Sequence, residues 1–307
     1  MAKNIKILIT GINGFIGSNL GAYIRSKYPS WHIYGIDSKL KESNERFKID
    51  LTGNNGELKI LLSHLRPRYI FHFAGIVSNS DLKQLLQLNV LTTYNLFSAI
   101  QKIEDYSPRV IIPSSASEYG RLSSAQLPVK EDHPLRPINI YGFSKMMQTS
   151  LSFMFTENGL DVVIARIFNI SGRGIGTNFS IGKFARELAL IKNKKQKPVL
   201  VTKNLGTKRD FLDINDICKC LLAITLYGEK GQIYNVCRGK SFLIRDLLNR
   251  LIDISGLCGI KIVEDKTVSQ REITDSFGST AKLKKIFNNF KPVSIEESLK
   301  NTYLSQF

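Results

Sequence analysis

The chain has 307 residues, 43% of them apolar and 22% charged, with a net charge of +17 and a pI near 9.7. That length and balance support one large or two medium domains with a proper core, and they exclude a disordered or fibrous chain. The basic excess attracts polyanions of every kind, yet its residues are scattered over helix-like faces, and the dense run from Lys192 to Lys197 lacks interleaved aromatics. Nucleic acid is therefore not an expected partner.

The N-terminus enters an apolar strand with no signal-like stretch, and no apolar run is long enough to span a bilayer, so a cytoplasmic protein without a membrane partner is expected. Strands are expected at 5–10, 32–37, 47–49, 69–73, 110–114 and 162–166. Helical periodicity is expected at 15–26, 84–103 and 141–158. This alternation is that of a parallel sheet covered on both faces, an α/β fold of the doubly wound Rossmann type. Beyond Asn169 the pattern loosens into a Gly-rich loop at 171–176, a helix through 185–191, a Lys/Pro loop, a helix at 213–227 and a sheet segment at 231–236. The expected division is a dinucleotide-binding domain at 1–170 and 210–238 and a smaller α/β substrate part at 171–209 and 239–307. Cys218, Cys220, Cys237 and Cys258 include no Cys-x-x-Cys pair, so reduced thiols and no metal site are expected.

The first strand runs into Thr10-Gly11-Ile12-Asn13-Gly14-Phe15-Ile16-Gly17. Gly11, Gly14 and Gly17 allow a sharp turn, close approach to a pyrophosphate, and tight packing of the following helix, whose N-terminus faces the phosphates. Asp37 ends the second strand, 20 residues past Gly17. An acid there accepts from both ribose hydroxyls and repels a 2′-phosphate, which favours NAD(H) over NADP(H), while Lys39 and Lys41 soften the preference. Tyr141 and Lys145 stand one helical turn apart, so a cation beside a phenol is expected to lower the phenol toward neutrality for proton exchange with a carbonyl or hydroxyl oxygen. Ser114 and Ser115 end the fifth strand at the same carboxyl edge, where a hydroxyl can hold that oxygen.

These motifs, with Asp50-Leu51, His72-Phe73-Ala74-Gly75, Asn89, Glu118-Tyr119-Gly120 and Arg166-x-Phe168-Asn169, resemble the extended short-chain dehydrogenase/reductases of the NAD-dependent epimerase/dehydratase family that act on nucleotide sugars. The stretch from Asn204 to Asp213, Tyr234-Asn235-Val236-Cys237 and Arg271 look most like the GDP-4-keto-6-deoxy-D-mannose reductases. The resemblance implies Ser115, Tyr141 and Lys145 as the catalytic set. It puts Gly14, Phe15 and Ile16 on the pyrophosphate, Asp37 on the ribose, and Asp50 and Leu51 beside the adenine. Phe73, Ala74, Gly75, Ser114, Tyr141, Lys145 and Phe168 would line the rest of the cofactor. Asn169, Arg209 and Arg271 would face the nucleoside-diphosphate sugar, with the bland alternative of an ion pair between Arg209 and Asp210 or Asp213. Asn89 reads as structural.

Ala116 and Ser117 stand where the dehydratases of this family carry an Asp-Glu pair, so elimination is not expected. The expected activity is reduction of a 4-keto-6-deoxyhexose nucleotide with Tyr141 as proton donor, in polysaccharide biosynthesis; the alternative is a 4-epimerase that retains NAD, which Asp37 favours. The apolar stripes at 84–103 (Leu88, Leu91, Tyr94, Leu96, Phe97) and 141–158 (Met146, Met147, Leu151, Phe153, Met154, Phe155) predict a homodimer through a four-helix bundle.

Overall fold

The computed structural model describes residues 4–53, 56–77, 81–265 and 273–307; Arg271 lies outside them. In chain order the first elements are β1 (Lys6–Thr10), α1 (Phe15–Lys27), β2 (His32–Ile36), β3 (Arg46–Phe47), α2 (Gly56–Leu65) and β4 (Tyr69–His72). One helical stretch follows, made of α3 (Leu82–Leu85), a π-helical segment (Leu86–Leu91) and α4 (Thr92–Gln101). Then come β5 (Arg109–Ser115), a 3-10 turn (Ala116–Glu118), α5 (Ile140–Glu157), β6 (Asp161–Ile167), β7 (Asn169–Ser171), α6 (Ser180–Lys192), β8 (Val199–Lys203) and β9 (Lys208–Asp213). The chain closes with α7 (Ile214–Tyr227), β10 (Ile233–Val236), β11 (Ser241–Leu243), α8 (Ile244–Ser255), β12 (Lys261–Asp265), α9 (Ala281–Ile286) and α10 (Ile295–Leu304).

Two compact units divide the chain: Met1–Glu118, Pro137–Arg166 and Cys218–Tyr234 form the first, and Tyr119–Arg136, Ile167–Ile217 and Asn235–Phe307 the second. Residues 119–136, 167–170, 210–217 and 235–238 thus fall in the second unit, although chain order groups them with the first.

The seven-stranded sheet has the order β3-β2-β1-β4-β5-β6-β10. It is parallel at β3/β2, β2/β1, β1/β4 and β4/β5. The winding reverses between β1 and β4, the place where open α/β sheets take their ligands. Strands buried on both faces need unbroken apolar runs, and β1 (Ile7, Leu8, Ile9), β4 and β6 supply them. On one face Leu8, Ile70, Val110, Ile112 and Val162 meet Leu58 and Leu62 of α2, Leu96, Phe97 and Ile100 of α4, and Phe155 of α5. Leu96, Phe97 and Phe155 therefore belong to the interior, and the apolar stripe read along 84–103 and 141–158 is narrower at the surface than the sequence implies. The expected strand at 47–49 is Arg46–Phe47, and α2 has no counterpart among the expected elements.

In the second unit β9 lies between β7 and β11, parallel to the first and antiparallel to the second. Helices α6, α8 and α10 pack there on Phe211, Leu200 and Leu205 through Leu188, Leu248 and Leu299. Among the described residues no helix is long and apolar enough to cross a membrane.

Helix α1 reaches the site because its first turn touches the backbone that leaves β1: a Cβ on Gly17 would stand 2.3 Å from the Gly11 carbonyl oxygen. Gly17→Ala must open that contact, and such overpacking costs about 1–3 kcal/mol. Thermal unfolding should register the loss, whereas Gly206→Ala, with nothing within 4 Å of the added methyl, should melt like the parent chain.

Candidate active site

The turn after β1 is pinned to β2, with Gly11 N donating to Ile36 O at 2.8 Å and Gly14 N to Gly11 O at 2.9 Å. Gly14 caps α1 without a side chain, and no acid occupies the first turn. The first-turn N–H groups and the positive helix end, at Phe15, Ile16 and Gly17, are thereby suited to an anion. Asp37 accepts from Asn13 N at 3.4 Å and Lys39 N at 3.1 Å, which ties its carboxylate to the same turn. Asp50 is exposed and closes a local turn on Thr52, and buried Leu51 holds its carbonyl to Asn95 Nδ2 at 2.7 Å. Phe73 N donates to Thr10 O at 3.0 Å and Ala74 N to Thr10 Oγ1 at 3.1 Å. Gly75 is followed by Ile76, whose N–H and carbonyl are both held by the Asn89 amide, at 2.9 and 3.1 Å. The structural role read for Asn89 is thus visible as a clamp on this loop. A π turn, which often marks a functional site, carries that side chain.

Ser115 ends β5, and the chain turns through Ala116–Glu118. Helix α5 starts opposite, its Asn139 side chain accepting from Gly142 N at 2.7 Å. A Cβ on Gly142 would meet Ser117 O at 2.4 Å, so the helix start and the turn that follows β5 touch through backbone, and the Ser115 hydroxyl comes near enough to the Tyr141 phenol to favour its ionised form. Lys145, one turn on and buried, donates to Gln148 Oε1. Gln148 Nε2 donates to Thr93 Oγ1 at 2.7 Å. His72 spans Thr93 Oγ1 (3.1 Å from Nε2) and Thr10 Oγ1 (2.9 Å from Nδ1). A buried polar chain therefore runs from the ammonium to the loop that carries Ala74. Sequence reasoning quoted His72 only as part of a motif and missed Thr93 and Gln148.

Burial governs the protonation of this chain. The Tyr141 phenol is pushed up to about 12 by desolvation, which outweighs the lowering influence of the Ser115 hydroxyl, while the Glu118 charge raises it further. The expected lowering toward neutrality is therefore corrected: Lys145 is itself driven down to about 8 by desolvation, and its ammonium is engaged with Gln148. Desolvation, aided by Lys145, holds His72 at about 3 and hence neutral.

Glu118 and Arg166, both fully buried, form an ion pair at 3.1 Å. Ser114 Oγ donates to Glu118 and accepts from Arg166 Nε at 3.3 Å, so its hydroxyl is turned into this cluster. An arginine ending an apolar strand was the available signal, because a charge in a strand buried on both faces demands a partner.

In the second unit Phe168 is buried against Tyr119, with ring centroids 6.2 Å apart. Asn169 and Arg209 lie on the adjacent strands β7 and β9: Asn169 Nδ2 donates to Asp210 O at 3.1 Å, and Arg209 Nη1 to Lys208 O at 2.8 Å. The Asp210 carboxylate accepts from the backbone of Arg238 and Gly239, both at 2.8 Å, and burial still raises it to about 6.

A doubly wound sheet with a glycine turn opening its first helix, and a serine, a tyrosine and a lysine assembled at the ends of β5 and α5, defines a short-chain dehydrogenase/reductase. Residues 7–237 match the model of the NAD dependent epimerase/dehydratase family, and the chain belongs to that family. It is 31% identical over 305 residues to GDP-6-deoxy-D-mannose reductase of Pseudomonas aeruginosa, covering 96% of this chain and 95% of that protein. GDP-6-deoxy-D-talose 4-dehydrogenase of Aggregatibacter actinomycetemcomitans is 27% identical, with 97% of each chain covered. The solved structure of RMD from Pseudomonas aeruginosa complexed with NADPH matches with a TM-score of 0.86 at 29% identity, over 98% of each chain.

His72 gives a prediction with a definite sign. Its folded value of about 3 lies below the ordinary 6.5, so the stability it contributes is whole above pH 6.5 and is lost as pH falls toward 3. The loss approaches about 1.4 kcal/mol per pH unit. His72→Gln should flatten the acid side of the melting-temperature profile in that window relative to wild type, and parallel profiles would show that His72 does not set it.

Proposed function

We propose that the protein reduces a nucleoside-diphosphate-linked 4-keto-6-deoxyhexose to the C4 alcohol. The observation that carries this reading is the Tyr141 phenol, kept protonated by burial, beside Ser115 and one turn from Lys145, in the same unit as the glycine turn. A phenol in that state is a proton donor, which carbonyl reduction requires. The glycine turn, the uncapped start of α1 and Asp37 fit a nicotinamide dinucleotide: the turn has no side chain to block a pyrophosphate, and Asp37 supports NAD(H) as the preferred form. Lys39 and Lys41, with the NADPH of the similar Pseudomonas structure, support NADP(H) as the second form. When bound, the nicotinamide supplies hydride. Ser115 holds the substrate carbonyl oxygen, Tyr141 gives that oxygen its proton, and the Lys145 ammonium stabilises the phenolate left behind.

Gly11, Gly14, Phe15, Ile16 and Gly17 are assigned to the pyrophosphate, Asp50 and Leu51 to the adenine side, and Phe73, Ala74, Gly75, Ser114 and Phe168 to the remainder of the cofactor. Asn169, Arg209 and Arg271 are assigned to the nucleotide sugar, arginine because its planar fork pairs with phosphate oxygens. GDP-linked sugars head the candidate substrates, since both relatives named above carry GDP sugars in their names. The product would be an activated deoxyhexose for polysaccharide synthesis in the cytoplasm. Asp37 favours one second reading, a 4-epimerase with retained NAD; stoichiometric NAD after purification would select it.

A homodimer is also proposed. Leu91, Tyr94, Phe153 and Met154 stay between 39% and 50% exposed on the π segment, α4 and α5, and paired across a two-fold axis these helices would form a four-helix bundle. A charge belongs at Met154, because Phe155 is interior and a charge there would unfold the chain.

GDP-, dTDP-, CDP- and UDP-linked 4-keto-6-deoxyhexoses should be offered with NADH or NADPH, following the nicotinamide absorbance. Turnover is expected with at least one, and Tyr141→Phe should lower it by about 10²-fold or more while cofactor still binds. A Tyr141→Phe protein with near-normal turnover rejects the assignment. In sedimentation at low micromolar concentration, wild type should run at twice 34.6 kDa and Met154→Asp should move toward 34.6 kDa. Wild type at the smaller mass would rule out the dimer.

A further inference from the structure

Beneath the proposed catalytic groups lies a cluster that the reaction does not use directly. The Glu118 carboxylate, on the 3-10 turn, takes hydrogen bonds from three other elements. From β5, Ser114 Oγ donates to its Oε1, and Ser115 N approaches the same oxygen at 3.3 Å. From α5, Thr149 Oγ1 stands 3.2 Å from both carboxylate oxygens. From β6, Arg166 Nη2 donates to Oε2 at 3.1 Å, and its Nε reaches back to Ser114 Oγ at 3.3 Å. Glu118 and Arg166 are 0% exposed, Thr149 2% and Ser114 4%. Thr149 lies one turn beyond Lys145 on the helix that also bears Tyr141. One carboxylate therefore ties the strand end carrying Ser115 to the helix carrying the phenol and the ammonium.

We propose that Glu118 is a positioning residue whose carboxylate, balanced by Arg166, sets the Ser115-to-Tyr141 geometry and the electrostatic balance beneath the phenol.

A buried pair of this kind is weak evidence for stability, since an apolar substitute often does as well, so its retention calls for another role. Among the charged and titratable groups, Glu118 on the 3-10 turn acts on the phenol directly, Arg166 on β6 is in contact with that carboxylate, Lys145 stands one turn along α5, and His72 on β4 feels the Lys145 charge. His72 is neutral. The Glu118 charge raises both Tyr141 and Lys145, so it favours the protonated phenol and the charged ammonium together. The Arg166 guanidinium, in contact with that carboxylate, offsets it. An unbalanced charge on either side would move the phenol in opposite directions.

The test rests on the reading of Tyr141 as proton donor, but its first readout needs no substrate. Phenolate absorbance, taken as each protein minus the same protein carrying Tyr141→Phe, isolates the Tyr141 titration. Glu118→Gln keeps the shape and leaves the Arg166 charge unopposed, so the midpoint should fall by about one unit. The double variant Glu118→Gln, Arg166→Met removes both charges and should return it close to wild type. Midpoints unmoved in both variants would mean that the pair is only structural, and the proposal would fall. Thr149→Val leaves both charges in place and cuts the tie to α5; it carries the test if Glu118→Gln does not fold. Its phenol midpoint should stay put, while kcat drops about tenfold or more with KM little changed. An unchanged kcat would overturn the positioning role. If wild type reduces none of the 4-keto sugars while the titrations shift as expected, the substrate assignment fails and this inference stands.

Discussion

The start of α5 and the 3-10 turn that follows β5 meet backbone to backbone, through Gly142 and the Ser117 carbonyl, and the site depends on that closeness. A side chain at Gly142 would push the helix away, carrying Tyr141 from Ser115 and Gln148 from Thr93. The same closeness dries the interior below. A dry interior keeps a phenol protonated, weakens the hold of an ammonium on its proton and forbids a charged imidazole, the pattern found at Tyr141, Lys145 and His72. Lys145 and His72 would be costly to bury unpaired, so Gln148, Thr93 and Thr10 satisfy them in a continuous chain.

Charge is handled differently inside and outside. The interior of the first unit holds Glu118 and Arg166 as a matched pair, whereas the chain as a whole carries +17. A positive surface field draws anions toward the protein at rates that salt suppresses. Dinucleotides and sugar nucleotides are both anions, so on the proposed function the same field serves cofactor and substrate.

Much of the first unit was legible because its strands are buried on both faces and read as plain apolar runs. The glycine turn was legible because Gly11, Gly14 and Gly17 sit between such a strand and an amphipathic helix. Strand β9 was not, since Lys208, Arg209 and Asp210 look like surface, and only the fold shows Asp210 buried among the backbone N–H groups of Arg238 and Gly239. Helix α8 has its apolar residues at Ile244, Leu247, Leu248 and Leu251. Its partners, Leu188 of α6 and Leu299 of α10, are far off in sequence. Within the site, Tyr141, Lys145 and Ser115 could be picked out by spacing. What spacing could not show was how far burial would outweigh the cation in setting the phenol, or that Gln148 would take up the ammonium.

The π-helical turn at Leu86–Leu91 sets the phase of everything downstream of it. A π turn spends one residue more than an α turn before the helix resumes, and one residue is about 100° of rotation. With that extra residue, Asn89 points inward to clasp Ile76 while Leu96 and Phe97 still find the sheet and Tyr94 still faces out. Deleting a single residue there would leave the composition of α4 almost untouched, yet turn its sheet-facing side toward solvent. The loop clamp at Asn89 and the outer apolar face of α4 are thus a single geometric decision, and a shift in the phase of one moves the other.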